Sequence, residues 1–330
     1  MNGRPFGISD DALALAQLRY ELAEQVGEGS FGVVHRATQR STGQDVAIKF
    51  PRHSGLANPQ SAQSQRRFRR ELELAARLSH PHIVGLVDTQ LNDSEEVAFV
   101  VFEYVQGVSI TEYLRGKGDV LEEACFLMHQ VLDALIAAHK KGVVHRDLKP
   151  SNIMVSFSGL FAQAHVLDFG LGGFFEHPSS VDIEPITQSL EIFGTPAYSA
   201  PEQVRGSVAS PYSDYYSWAL ILVECICGAP LVTGRSVEEI LARQLGNEPH
   251  VLPSKLRSGF LAPLIEPLLS KQEADRTIDL ELLCRLMRRP GNATSSNQKP
   301  APINSVSYTH LRAHETSLHL VCRLLLEKKK

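Results

Sequence analysis

The chain changes texture at Gly107. From Tyr20 to Val105 it reads as strands: "YELAEQVGEG", "FGVVHRATQ" and "QDVAIKF" joined by glycine-bearing turns, then the apolar run "VAFVVFEYV". "RRFRRELELAARLSH" breaks the series with a helical apolar pattern at Phe68, Leu72, Ala75 and Ala76. After Gly107 nearly every apolar segment is helical: "CFLMHQVLDALIAAHKKG", "SDYYSWALILVECICG", "VEEILARQLG", "LAPLIEPLLS" and "LELLCRLMRR". A small strand-rich part followed by a larger helical part predicts two lobes, and a cleft between lobes is a favoured ligand site. With 330 residues, 43% of them apolar, there is enough material for both cores.

One stretch resists a structural reading. "GVVHRDLKPSNIMV", residues 142–155, sets His, Arg, Asp, Lys, Ser and Asn between apolar flanks. Burying such groups is costly unless they are paired or used, so a charged loop held by buried flanks is a candidate for chemistry. Two further features point the same way. "GEGSFGVV" places glycines at 27, 29 and 32, where backbone N–H groups can approach phosphate without a Cβ in the way. Such a turn also occurs in ordinary hairpins, and it gains weight from "VAIK" in the next hairpin. There Lys49 sits in an apolar strand and needs an anionic partner. Glu71 on the following helix is placed to be that partner.

The order of these pieces, with "HVLDFGLGG", "FGTPAYSAPEQ" and Asp214 in "SDYYSW", resembles the eukaryotic-type (Hanks-type) Ser/Thr protein kinases, and bacterial members in particular. The resemblance covers about residues 20–288 and implies an α+β, bilobal protein-kinase fold, with an N-lobe over 20–104 and a C-lobe over 105–288. It implies an ATP- and Mg²⁺-dependent transfer of the γ-phosphoryl group to protein Ser/Thr hydroxyls. Asp147 would take the hydroxyl proton, Lys149 would neutralise the γ-phosphate, and Asn152 and Asp168 would hold Mg²⁺. Val26, Gly27, Gly29 and Gly32 would border the nucleotide, and Lys49, fixed by Glu71, would hold its α- and β-phosphates. Val34, Ala47 and Met154 would enclose the adenine, with Phe102 before a hinge of Glu103, Tyr104 and Val105. Thr195 would contact Asp147 and Lys149, and "GTPAYSAPE" would serve peptide substrates. Glu202 would pair with Arg276, and Asp214 would brace the catalytic loop. Arg146 would meet a phosphate on the activation loop, at Thr187 or Ser189. Trp218-Ala219 stands where Leu-Gly is common and "DFGLGG" has an extra Gly; neither removes a catalytic group. A pseudokinase or scaffold module of a larger bacterial signalling protein is the alternative, and it requires a lost Lys, base or metal ligand.

The rest of the chain sets boundaries. A formal charge of −4 argues against a general nucleic-acid partner. Five cysteines without a CxxC pair argue against zinc and a disulfide framework, and so for a reducing, cytoplasmic setting; Cys225 and Cys227 read as buried core thiols. There is no visible signal peptide and no apolar run long enough to span a bilayer. Residues 1–19 read as a helical extension capped by Ser9. Residues 289–304 read as a flexible linker, in which "NAT" at Asn292 reads as a chance glycosylation match. Residues 305–330, with "VSYTHL", "RAHET" and "LVCRLLLE", are similar to the conceptual translation of a sequencing adapter and are expected to be dispensable. That tail carries five Lys/Arg against two Asp/Glu, so without it the formal charge moves from −4 to −7. Self-association for autophosphorylation in trans is a further expectation.

Overall fold

A computed structural model describes residues 8–29, 32–51, 70–92, 97–159, 161–169 and 196–288. The Thr294–Lys330 unit, with the linker and the adapter-like tail, lies outside them, as do Phe68, Thr187, Ser189 and Thr195.

The first lobe is an antiparallel five-stranded sheet in the order β1-β2-β3-β5-β4. Its strands are β1 (Tyr20–Gly29), β2 (Gly32–Gln39), β3 (Asp45–Pro51), β4 (Leu86–Leu91) and β5 (Val97–Glu103). Val34 opposes Lys49, and Ala47 opposes both Arg36 and Phe102. Paired residues share a face and alternate residues along a strand do too. Val34, Ala47, Lys49 and Phe102 therefore look to one side, and Val33, His35, Ile48 and Phe50 to the other. Gly32 is the glycine that the backbone itself demands: its φ is 143°, and a Cβ there would lie 2.0 Å from the Phe50 carbonyl oxygen.

Helix α1 (Asp10–Arg19) covers the second face. Ser9 accepts the Ala12 N–H at 3.2 Å, and Asp10 and Asp11 suit the first turn. Its buried residues are Ala12 and Ala16, small enough to let the helix settle on Ala37, Val46, Phe50 and Phe99. At its end Arg19 and the Tyr20 hydroxyl both reach Asp88 of β4, at 2.6 and 2.9 Å. The helix and the start of β1 thus staple the far edge of the sheet. Deleting residues 1–19 uncovers this face and is expected to cost about 2–4 kcal/mol on the usual transfer scale. An unchanged melting temperature would contradict that.

Residues 70–76 form α2, with Leu72 buried against Val100 and Phe102 of the sheet, Leu74 packed against the other lobe and Ala75 buried. Ala76, expected inward, is exposed, and Leu78 is buried in its place. The helix ends there, so the apolar period does not continue.

The second lobe is built on α3 (Ile110–Leu114), α4 (Leu121–Lys140) and α6 (Pro211–Cys227), with α5 (Pro201–Val204) leading into α6. The α6 helix is apolar almost all round and lies in the core; Trp218 is fully buried and its indole N–H donates to the Met128 carbonyl at 2.9 Å. Cys225 is buried, but Cys227, expected to be a core thiol as well, is only partly so, because it sits in the last turn of α6. Beyond α6 come α7 (Val237–Leu245), α8 (Ser254–Arg257), α9 (Ala262–Ile265) and α10 (Leu280–Arg288). "LAPLIEPLLS" is not one helix: α9 gives way to a 3₁₀ turn at Pro267–Leu269, because Pro267 has no N–H to continue the ladder.

A second sheet, β6 (Val108–Ser109), β7 (Ile153–Ser158) and β8 (Phe161–Val166), lies between these elements. Val84 donates to the Val166 carbonyl at 3.0 Å and Val166 to that of His82 at 2.9 Å, which joins the lobes. Among the described residues no helix is long and apolar enough to cross a membrane.

Candidate active site

The loop between α4 and β7 is held from beneath by one carboxylate. Asp214, in the first turn of α6, accepts the backbone N–H of His145 at 2.8 Å and of Arg146 at 2.9 Å. It also meets His139 Nε2 at 2.8 Å, and only 1% of it is exposed. This is the brace expected of Asp214; His139, in the last turn of α4, is a partner that the sequence did not signal. His145 is fully buried. Its Nε2 lies 2.8 Å from the Leu167 carbonyl and its Nδ1 accepts from the Asp147 N–H at 3.3 Å. One nitrogen donates and the other accepts, which assigns the neutral tautomer with the proton on Nε2.

That scaffold presents the polar side chains together. Asp147 Oδ2 receives Lys149 Nζ at 2.7 Å and Asn152 Nδ2 at 3.3 Å; Asn152 Nδ2 also donates to the Asp147 carbonyl at 2.8 Å. Both contacts fix which end of the Asn152 carboxamide is nitrogen, leaving Oδ1 as the remaining oxygen. Leu167 N–H donates to the Asn152 carbonyl at 2.9 Å, so Asp168 follows one residue from Asn152's own backbone. Asp168 and Arg146 have φ of 57° and 71°, positions that L residues seldom occupy and that occur preferentially at functional sites.

The sheet reaches this loop through Lys49. Its side chain is nearly buried and Nζ lies 2.9 Å from Asp168 Oδ2. Burial pushes the Asp168 carboxyl up, but the charge and hydrogen bond of Lys49 outweigh it and hold the group below the usual carboxylate range. The resemblance pairs Lys49 with Glu71; in the structure Glu71 forms an ion pair with Arg146, Nη1 to Oε1 at 2.7 Å. Local sequence could not have told these apart, because three cations and carboxylates from four separate segments converge here.

The remaining residues of the site line up as the strand register requires. Val34 and Ala47 lie half-buried on the Lys49 face, and Phe102 is buried among Leu72, Val84 and Val100, with Val105 and Leu167 packed against them. Val26 is 44% exposed and Gly27 opposes Val34. Gly29 ends β1, and Met154 lies half-buried on β7 opposite Ser109. Glu103 turns its carboxylate back onto the Gly85 N–H at 3.2 Å, and Arg36 stacks 5.1 Å above the ring of Tyr104. Glu202 and Arg276 form the expected pair, a two-pronged contact at 2.6 and 2.7 Å.

A family profile described as "Protein kinase domain" matches residues 20–284. The chain belongs to the protein kinase domain family. Among curated relatives, the kinase domain is 35% identical over 235 residues to a probable serine/threonine-protein kinase PknB of Bifidobacterium longum, covering 69% of this chain and 33% of that protein. It is 33% identical over 231 residues to serine/threonine-protein kinase PrkC of Bacillus subtilis, covering 70% of this chain and 34% of that one. The chain thus spans about a third of the length of these relatives. The crystal structure of the Mycobacterium tuberculosis PknI kinase domain, a double mutant, superposes with a TM-score of 0.59 at 22% identity, covering 87% of this chain and 99% of that one, which bears on the fold.

Two side chains of the kinase domain carry no signal in the sequence. Gln203 follows "APE" and donates through Nε2 to the Arg146 carbonyl at 2.6 Å, while its Oε1 accepts the Ala200 N–H at 3.1 Å. Gln244 lies in α7, where a polar residue on a short amphipathic helix reads as a surface position; it is fully buried.

Proposed function

We propose that this domain transfers the γ-phosphoryl group of ATP to Ser and Thr side chains of proteins. The observation that carries the reading is the junction of Lys49 with Asp168 beside the Asp147–Lys149–Asn152 cluster, which unites groups from both lobes. In that arrangement Asp147 orients the acceptor hydroxyl and takes its proton. The hydroxyl oxygen forms a bond to the γ-phosphorus as the bond to the β–γ bridging oxygen breaks and ADP leaves. Lys149, 2.7 Å from Asp147, stands where negative charge moves during the transfer. Lys49 holds the nucleotide phosphates. Asn152 and Asp168 offer the hard oxygen donors that suit Mg²⁺ and would hold it; bound there, it would neutralise negative charge on the nucleotide. Cys125, Cys225, Cys227 and Cys284 form no disulfide, which with the need for ATP suits the cytoplasm.

Activation by phosphorylation at Thr187 or Ser189 is part of the same reading. Arg146 is held in a left-handed conformation and is already engaged by the carboxylate of Glu71. A phosphate on the loop would compete for that guanidinium and free Glu71 to approach Lys49. The test is incubation of the domain with Mg²⁺-ATP and dephosphorylated casein, followed by phosphosite mapping. Phosphate on casein Ser/Thr is expected, with further phosphate at Thr187 or Ser189 and a loss of about tenfold or more in the Thr187→Ala/Ser189→Ala variant, as strong Arg–phosphate contacts imply. No transfer to casein or to the chain itself would overturn the kinase reading. Full activity of the double variant would remove the switch alone.

A further inference from the structure

Residues 196–200, the middle of "GTPAYSAPE", run into α5, and two carboxamides hold them, one at each end. At one end Gln203 ties the Ala200 N–H to the Arg146 carbonyl of the catalytic loop. At the other, Gln244 Nε2 donates to the carbonyls of both Pro196 and Ala197, at 3.1 and 3.0 Å. Between them Ser217 donates to the Tyr198 carbonyl at 2.8 Å.

Gln244 uses both of its donors and its acceptor oxygen. Its two amide hydrogens serve the two carbonyls, and Oε1 accepts the Tyr216 hydroxyl at 2.5 Å, so its orientation is fixed. The backbone behind it is fixed as well. The ammonium of Lys271, itself 7% exposed, donates to the carbonyls of Arg243 and Gln244 at 2.7 and 3.2 Å and to His250 Nε2 at 2.8 Å. A cation there caps the last turn of α7, where the helix carbonyls lack partners. Burial, then repulsion from Arg205 and Arg276, brings Lys271 down to about 8, and burial, then Lys271, brings His250 down to about 4. The ammonium can only donate, and the His250 Nε2 that it reaches also lies 2.7 Å from the Tyr216 hydroxyl. The ring of Tyr216 lies 4.7 Å beneath Arg276, which holds Glu202. A wholly buried amide costs free energy unless its hydrogen bonds are made, and removing this one would strand the carbonyls it serves.

We propose that Gln244, seated on Lys271, His250 and Tyr216, is a positioning residue for the protein substrate: it fixes the Pro196–Ala197 backbone as a docking edge, while Gln203 keys that edge to the catalytic loop. This rests on the kinase reading above. Its consequence is a split. Loss of the Gln244 contacts loosens the acceptor's platform and raises KM for the protein substrate, with KM for ATP unchanged. Loss of the Gln203 contact uncouples the platform from Asp147 and lowers kcat.

The test compares Gln244→Met, Gln244→Glu and Gln203→Met with the wild type, using dephosphorylated casein as acceptor, alongside hydrogen–deuterium exchange. In Gln244→Met, which keeps the length of the side chain, KM for casein is expected to rise about tenfold, as the loss of both contacts to the Pro196 and Ala197 carbonyls implies, with KM for ATP within about twofold. Gln244→Glu keeps the shape but sets a carboxylate against two carbonyls, and is expected to be worse. Gln203→Met is expected to lower kcat with KM for casein nearly unchanged. Exchange should rise in residues 197–200 of Gln244→Met and stay level in residues 145–152. Equal KM values for casein in wild type and Gln244→Met, or a parallel rise in KM for ATP, overturn the proposal. If the wild type transfers nothing, the kinase reading fails by itself and exchange decides the clamp: unaltered protection of residues 197–200 in Gln244→Met rejects it. If the Gln244→Glu chain does not fold, the KM values and exchange of Gln244→Met decide between these outcomes.

Discussion

Replacing Asp147 by Asn is expected to slow phosphoryl transfer by about 10²–10⁴-fold, the usual contribution of a positioned general base, while ATP binds as before. The side chain keeps its size, so the contacts that define the loop can persist: Asn152 still has the backbone carbonyl of residue 147, and Asp214 still holds the backbone of His145 and Arg146. What disappears is the anionic oxygen that Lys149 approaches at 2.7 Å and that would receive the hydroxyl proton. Single-turnover rates with saturating ATP, together with a titration of a fluorescent ATP analogue, separate the two effects. Transfer at the wild-type rate would remove Asp147 from the chemistry. A matching loss of nucleotide affinity would mean that the substitution has disturbed the Lys49–Asp168 junction instead.

The largest stability effect is expected at Arg276. Its side chain is fully buried and binds both oxygens of Glu202, while Nε serves the Ser270 carbonyl at 2.9 Å. Arg276→Met leaves Glu202 with Ser213, whose hydroxyl lies 2.7 Å away, as its neighbour in a buried place. An uncompensated buried charge of this kind costs about 3–5 kcal/mol. Urea unfolding should show that loss, and the double variant Glu202→Gln/Arg276→Met should lose less than the sum of the two singles, because the stranded charge is gone. Additive losses would mean the pair is not a coupled unit.

Acid offers an independent check on the pair. Burial raises the Glu202 carboxyl, but the hydrogen bonds from Arg276 and Ser213 and the Arg276 charge bring it below its ordinary value. A carboxyl with a lowered folded pKa stabilises the protein above its unfolded pKa, about 4.3 for Glu. That stability is lost as the pH falls from there through the folded value. The wild type should therefore lose stability below about pH 4.3 more steeply than the double variant, in which this group is missing.

The residues proposed to do the chemistry were legible along the chain because each sits in a short segment whose composition conflicts with its setting. A lone Lys49 in an apolar strand and the charged run around Asp147 between buried flanks are unfavourable unless something offsets them, and that conflict is a local signal. The helix cap at Ser9 and the strand-to-helix change after Gly107 were readable for like reasons of pattern, whereas the Glu202–Arg276 pair came only from the family resemblance. The end of α2 at Ala76 and the break at Pro267 show where periodicity was carried too far: apolar spacing continues in a sequence after the backbone has lost its hydrogen-bond partners.

What the sequence determined by itself was the set of groups and their order: two textures, one charged loop and a glycine-rich turn. Which charge meets which was decided in three dimensions. Lys49, Glu71, Arg146 and Asp168 come from four segments, and an ion pair depends on distances of a few ångströms that no spacing along the chain encodes. The same holds for Gln244 and Lys271. Each reads as an ordinary surface residue, and each is buried only because α7 and the turn before Arg276 close over residues 196–197. Polar groups acquire meaning there from the carbonyls that the fold leaves for them to bind.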